Sequence, residues 1–121
     1  MEMTDAVAAL GALAQDSRLT VFRLLVRTGP QGLPAGEIAE RLKIAPATLS
    51  FHLAQLRQAG LVTMKRDGRS LIYSADYDGM NGLMDFLTEN CCAGVTDCRM
   101  PACDPAAASV LRGKPRRRLR Q

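Results

Sequence analysis

The sequence predicts a mainly α-helical fold of the winged helix-turn-helix type, with about five helices and a two-stranded β-hairpin wing. Three observations predict it. Two short apolar-periodic segments, one carrying Ile38, Ala39 and Leu42 and one over 46–59, are separated only by the break Ile44-Ala45-Pro46. Two β-prone runs, Leu61-Val62-Thr63-Met64-Lys65-Arg66 and Arg69-Ser70-Leu71-Ile72-Tyr73-Ser74, flank Asp67-Gly68, a strong short-range hairpin signal. Apolar residues at helical spacing on both sides of this unit supply the remaining helices.

The elements follow in order. Thr4 or Asp5 can cap a first helix over roughly 6–14, with Val7, Leu10, Leu13 and Ala14 on one side. Asp16 or Ser17 caps a second, where Leu19, Phe22, Leu25 and Val26 recur until Gly29-Pro30 stops it. Pro34 suits the first turn of the short third helix, because its missing N–H would have no intrahelical partner there. The fourth helix carries the stripe Leu49, Leu53 and Leu56 and stops at Gly60. After the hairpin, Met80, Leu83, Met84 and Leu87 place a last helix between Asp76 and about Asn90.

Length and composition narrow the function classes. A chain of 121 residues supports one core, and no run approaches the length of a membrane span. The start, Met-Glu-Met-Thr-Asp, lacks the basic region of a secretion signal, so the expected location is cytoplasmic. Domain organisation is expected as a winged-helix domain over 1–90, a cysteine-rich segment over 91–103 and a basic tail over 104–121. Net charge is +4, but Arg112, Lys114, Arg116, Arg117, Arg118 and Arg120 account for more than the whole of it. Without them ten basic residues face twelve acidic ones. The basic balance is therefore no sign of a basic folded surface; the arginine run reads as a solvated tail or a sequence-independent phosphate grip.

In a helix-turn-helix the second helix of the pair enters the major groove. Opposite its leucine stripe lie Ala47, Thr48, Ser50, Phe51 and Gln55. Thr48, Ser50 and Gln55 are short polar readers, and Phe51 can meet a thymine methyl or else pack beneath the hairpin. His52, the single histidine, is expected to make a structural hydrogen bond or a phosphate contact rather than to bind metal. Lys65, Arg66 and Arg69 at the hairpin tip can lie along the adjacent backbone or minor groove, or simply face solvent. The expected DNA-binding set is thus Thr48, Ser50, Phe51, His52, Gln55, Lys65, Arg66 and Arg69, and no catalytic residues are expected.

Gly36-Glu37-Ile38-Ala39 and the run Leu49-Ser50-Phe51-His52-Leu53 through Leu56-Arg57-Gln58-Ala59-Gly60-Leu61-Val62 carry a resemblance, joined by Asp67-Gly68-Arg69 and Tyr73. Over about residues 5–92 the chain resembles the arsenic- and metal-responsive ArsR-type (ArsR/SmtB) repressors. The resemblance implies a homodimer that represses its own operon and leaves double-stranded operator DNA when an inducer binds. The first and last helices would then form the dimer interface, with no membrane and no organic cofactor involved.

All four cysteines, Cys91, Cys92, Cys98 and Cys103, cluster near the C-terminus. Family sensors occupy several alternative positions. The segment Gly32–Glu37 has no thiol, and the last helix has Asp76, Asp78, Asp85 and Glu89 but no histidine. The arrangement Cys91-Cys92 with Cys98 resembles the arsenic repressors whose sensor follows the last helix. Three thiolates suit trivalent arsenic or antimony, a soft centre that exchanges hydroxyls for sulfur in a pyramid. The short loop to Cys98 closes at small entropic cost, and Cys103 is expected to be a spectator. Other readings stay open. All four thiols could hold zinc or cadmium, although the Cys-x-x-Cys knuckle is missing. Cys91 or Cys92 could pair with Cys98 in a redox or persulfide switch, the cluster could be structural, and the chain could be a thiol metal carrier or oxidoreductase. The last lacks an organised base.

Overall fold

The computed structural model describes residues 1–91. Contacts divide the chain into a unit Met1–Leu87 and a second beginning at Thr88; the architecture below belongs to the first. Its elements are α1 (Met3–Leu13), α2 (Asp16–Thr28), β1 (Leu33–Pro34), α3 (Ala35–Leu42), α4 (Pro46–Gln58), β2 (Val62–Asp67), β3 (Ser70–Ala75) and α5 (Tyr77–Thr88). Five helices and a small antiparallel sheet make a winged helix-turn-helix, as the sequence predicts.

Helix starts differ from expectation by a few residues. In α1 the expected cap Asp5 lies inside the first turn, where its Oδ2 accepts from Glu2 N at 3.4 Å. For α2 the cap is Gln15 rather than Asp16 or Ser17, its Oε1 accepting from Arg18 N at 2.9 Å. Both arrangements satisfy an amide that helix geometry leaves without a partner. Pro34 precedes α3 instead of opening it, because it also forms part of a third strand that sequence reasoning did not foresee. A two-residue strand carries no periodicity to read.

The sheet order is β1-β3-β2, all antiparallel. Asp67 pairs with Ser70, so the wing turns on Gly68-Arg69, one residue later than Asp67-Gly68. Gly68 takes φ +63°, the left-handed conformation that a two-residue hairpin demands at its first position. Val62, Tyr73 and Ala75 turn inward, while the distal half of β2 is exposed.

The core closes on Val21, Leu25, Ile38, Leu49, Leu53, Leu56 and Leu61, all fully buried. Helix α1 buries Ala6, Ala9 and Ala12; of the residues expected on one side of it, Val7 and Leu10 are 60% and 43% exposed, while Leu13 packs partly against the core. Leu19 is likewise exposed and Val21 takes its place in α2. Alanines allow α1 to lie close against α2 and α4, which larger side chains would push away.

The start of α5 is fastened to the body of the fold. Asp76 N donates to Leu61 O at 2.8 Å, and Tyr77 Oη donates to Val26 O at 2.9 Å. Gly79 rests on Gly60, where a Cβ would collide with the Gly60 carbonyl oxygen. Leu83 is buried, while Met84 and Leu87 are exposed. No helix among the described residues is long and apolar enough to cross a membrane.

Candidate nucleic-acid interface

The site is built on α4. Pro46 begins it with a fixed φ, and Leu49, Leu53 and Leu56 seat it in the core, so its opposite face is held outward. Thr48, Ser50 and Phe51 are exposed there, together with Ala54 and Arg57. Phe51 does not pack beneath the hairpin; it is 57% exposed. A large apolar ring left in water beside Thr48 and Ser50 suits contact with a base edge or a thymine methyl. The helix carries no acidic residue, so nothing on it repels a phosphate.

Lys65, Arg66 and Arg69 are all exposed at the distal end of the β2–β3 wing. Asp67 is the acidic residue among them. The wing thus offers three cations for the backbone, where guanidinium and ammonium groups gain by releasing counterions.

Two expected DNA contacts are placed differently. His52 is only 7% exposed, an interior position that fits the expected structural hydrogen bond better than the expected phosphate contact. It follows Phe51 directly, and on a helix the next residue points about a quarter-turn away, here into the fold. Its Nδ1 lies 3.4 Å from Arg18 Nη1. Because a guanidinium only donates, Nδ1 accepts and the imidazole proton sits on Nε2. Burial first, and the neighbouring Arg18 charge second, lower the His52 pKa below its ordinary 6.5. Both effects disfavour the charged ring. Gln55 is half-buried and lines a groove of about 530 Å³ with Arg18, Gln58, Ala59 and Ala8, Gly11 and Ala12 of α1. It stands at the flank of the outward face rather than at its centre.

Arg57 was missed by sequence reasoning. It is exposed in the last turn of α4 at a spacing from Ser50 and Ala54 that puts all three on one face, which helical periodicity could have shown. Arg18 was missed for a better reason: nothing in the sequence marks it.

Of the sulfur set, Cys91 lies just past α5 and is exposed. It follows Asn90, whose φ of +57° is the left-handed conformation common at a helix stop. Cys92 and Cys98, with Cys103, lie outside the described residues. Among the described residues no group of three or more His, Cys, Asp or Glu side chains is placed to hold a metal ion.

Known proteins similar to this chain agree with the geometry. A helix-turn-helix domain family matches residues 13–65. The regulator YceK of Bacillus subtilis is 37% identical over 67 residues, covering 55% of this chain and 66% of YceK. The transcriptional regulator YgaV of Escherichia coli is 30% identical over 88 residues, covering 73% of this chain and 87% of YgaV. A putative arsenical resistance operon repressor of Halobacterium salinarum is 34% identical over 73 residues, 60% of this chain and 56% of that protein. Among solved structures, an ArsR-like transcriptional regulator from Rhodococcus matches with a TM-score of 0.62 at 25% identity, covering 69% and 76% of the two chains. HlyU from Vibrio cholerae matches at 0.60 and 30% identity, covering 76% and 99%.

Proposed function

The chain belongs to the ArsR-type family of DNA-binding transcriptional regulators, and from that premise we propose that it is a homodimeric repressor released from its operator by trivalent arsenic or antimony. The observation that carries this reading is where the thiols fall. Every cysteine lies at position 91 or beyond, so the winged-helix unit has none, and Cys91 is exposed directly after α5. The similarity to a putative arsenical resistance operon repressor supports the same reading.

Cys91, Cys92 and Cys98 would hold the metalloid. Arsenite carries three hydroxyls; each thiol proton leaves with one of them as water, and three sulfur–arsenic bonds form without oxidation or reduction. Thiolates match the soft ion, and oxygen or nitrogen donors are not needed. Thr48, Ser50 and Phe51 would meet base edges, with Arg57, Lys65, Arg66 and Arg69 on the backbone. The exposed Val7 and Leu10 of α1 and Met84 and Leu87 of α5 offer the apolar surface for the dimer. Two recognition helices would then stand about 34 Å apart over an inverted repeat.

Induction needs differential affinity, because a ligand that binds both states equally shifts nothing. A hundredfold loss of operator affinity corresponds to about 2.7 kcal/mol of coupling. A thiol-redox repressor is the second reading, favoured by the exposure of Cys91 and by similarity to HlyU, of which one solved structure is described as reduced. Titrating a complex with operator DNA in parallel with arsenite, zinc and peroxide separates the readings. Release by arsenite at concentrations where zinc and peroxide leave the complex intact supports the metalloid; release by peroxide alone supports the redox switch.

A further inference from the structure

The guanidinium of Arg18 spans three helices. Arg18 sits in the first turn of α2, its own amide capped by Gln15. From there Nε donates to Ala12 O, in the last turn of α1, at 2.7 Å. That carbonyl is among those an α-helix leaves unpaired at its C-terminus, and a cation there also meets the negative end of the helix dipole. The other branch, Nη1, reaches His52 Nδ1 at 3.4 Å on the inner face of α4. His52 is the single buried polar side chain among the described residues, so this contact is the polar fixture of an otherwise apolar seat.

We propose that Arg18 is a positioning residue for DNA binding: by tying Ala12 O of α1 to His52 of α4, it fixes how the recognition helix presents Phe51. Apolar packing of Leu49, Leu53 and Leu56 holds α4 against the core but tolerates small rotations and slides, because it is not directional. A hydrogen bond to a ring directly beside Phe51 is directional, and the two rings stand 5.9 Å apart at 58°. The fork geometry explains the residue type. A lysine ammonium is a point charge and cannot hold a carbonyl and an imidazole in one plane. Through Ala12 the tie also joins the reading helix to α1, whose outward face carries Val7 and Leu10. The guanidinium is committed to these two partners, which sets Arg18 apart from Arg69, exposed at the wing.

The proposal rests on α4 being the DNA-reading helix, and the experiment separates the two claims. A duplex selected by the full-length parent from a randomised pool serves as probe, with affinity followed by fluorescence anisotropy against salt. Phe51→Ala and Arg69→Ala test the docking face: the second should reduce the salt slope by about one ion. Arg18→Met and His52→Leu should each weaken binding about tenfold, as coupled contacts do, with the parent's salt slope. The double variant should be no worse than either single one. His52→Asn, whose Oδ1 falls near the place of Nδ1, should bind within about twofold of the parent, a rescue that loss of packing alone does not produce. Circular dichroism checks the fold, and if Arg18→Met does not fold, the His52→Leu and His52→Asn pair decides. Parent-like affinity in His52→Leu, losses that add in the double variant, failure of His52→Asn to rescue, or a salt slope lowered by Arg18→Met would each overturn the proposal. If Phe51→Ala and Arg69→Ala both bind as the parent does, the assignment of the reading helix falls first.

Discussion

Helices α1 and α4 pack against the same α2, yet they are seated by side chains of different size. In α4 the leucines at 49, 53 and 56 point inward, and the outward face carries Phe51 beside Thr48, Ser50, Ala54 and Arg57. In α1 the inward face is Ala6, Ala9 and Ala12, and Val7 and Leu10 point out. A helix that turns its small residues to its own core and its large ones to water has two apolar faces. Helix α4 is thus shaped as an anchored presenter, and α1 as a layer between the core and whatever covers its outer side. Under the proposed function that cover is a second copy of the chain.

The sharpest way to break this comparison is to remove bulk from the seat of α4 and add it to that of α1. Leu56→Ala leaves a cavity in the seat of α4 and should cost about 2–5 kcal/mol of stability, read as a lower midpoint in urea unfolding. If the loss stays within about 0.5 kcal/mol, as for a surface site, Leu56 does not anchor the helix. Adding bulk to the alanine face is the complementary change. Ala9→Leu overpacks a position with no exposed surface and should cost about 1–3 kcal/mol, whereas a stabilised protein would show that α1 is not closely seated.

Leu10→Glu sharpens the other side of the comparison. It should leave the unfolding of the monomer within about 0.5 kcal/mol of the parent, as at surface sites. The sedimenting mass should nevertheless fall from dimer to monomer. An unchanged dimer would mean that the outward face of α1 is not part of the interface.

The smallest effect concerns pH. The His52 pKa is lowered in the fold by burial and by Arg18, so the native state resists protonation more than the unfolded chain does. Stability from this source is present in full above pH 6.5 and is lost as pH falls through the lowered native value. The parent should therefore lose more stability between pH 7.5 and 5.5 than His52→Asn, measured by urea unfolding of both proteins. Equal losses would show that His52 is not held neutral.

The same comparison shows what was legible in the sequence. The leucine stripe of α4 repeats at helical spacing and has one apolar face, so it identified both the helix and its orientation. The periodicity of α1 showed an apolar side with Val7 and Leu10, but not that Ala6, Ala9 and Ala12 form the buried face, because alanine adds little hydrophobic area and acts by allowing close approach. The wing was readable from Asp67-Gly68, though the register moved one residue, since strand pairing rather than the dipeptide sets the loop. The choice for His52 between a phosphate contact and a structural hydrogen bond could not be made from sequence: a quarter-turn separates the two, and its partner Arg18 lies 34 positions away. For Phe51, exposure speaks against the reading in which it packs beneath the hairpin. For the thiols, sequence proximity speaks for Cys91 and Cys92, and the chemistry of the donors carries the rest of that reading.

The most direct test of the arsenic-responsive account is to titrate arsenite into the operator complex of the parent and of Cys98→Ser, with both proteins first shown to bind DNA equally. The account predicts that the parent leaves the operator, with affinity falling about a hundredfold, a coupling of about 2.7 kcal/mol, while Cys98→Ser stays bound at the same arsenite concentration. Release of Cys98→Ser at the parent's concentration would contradict the three-thiolate site.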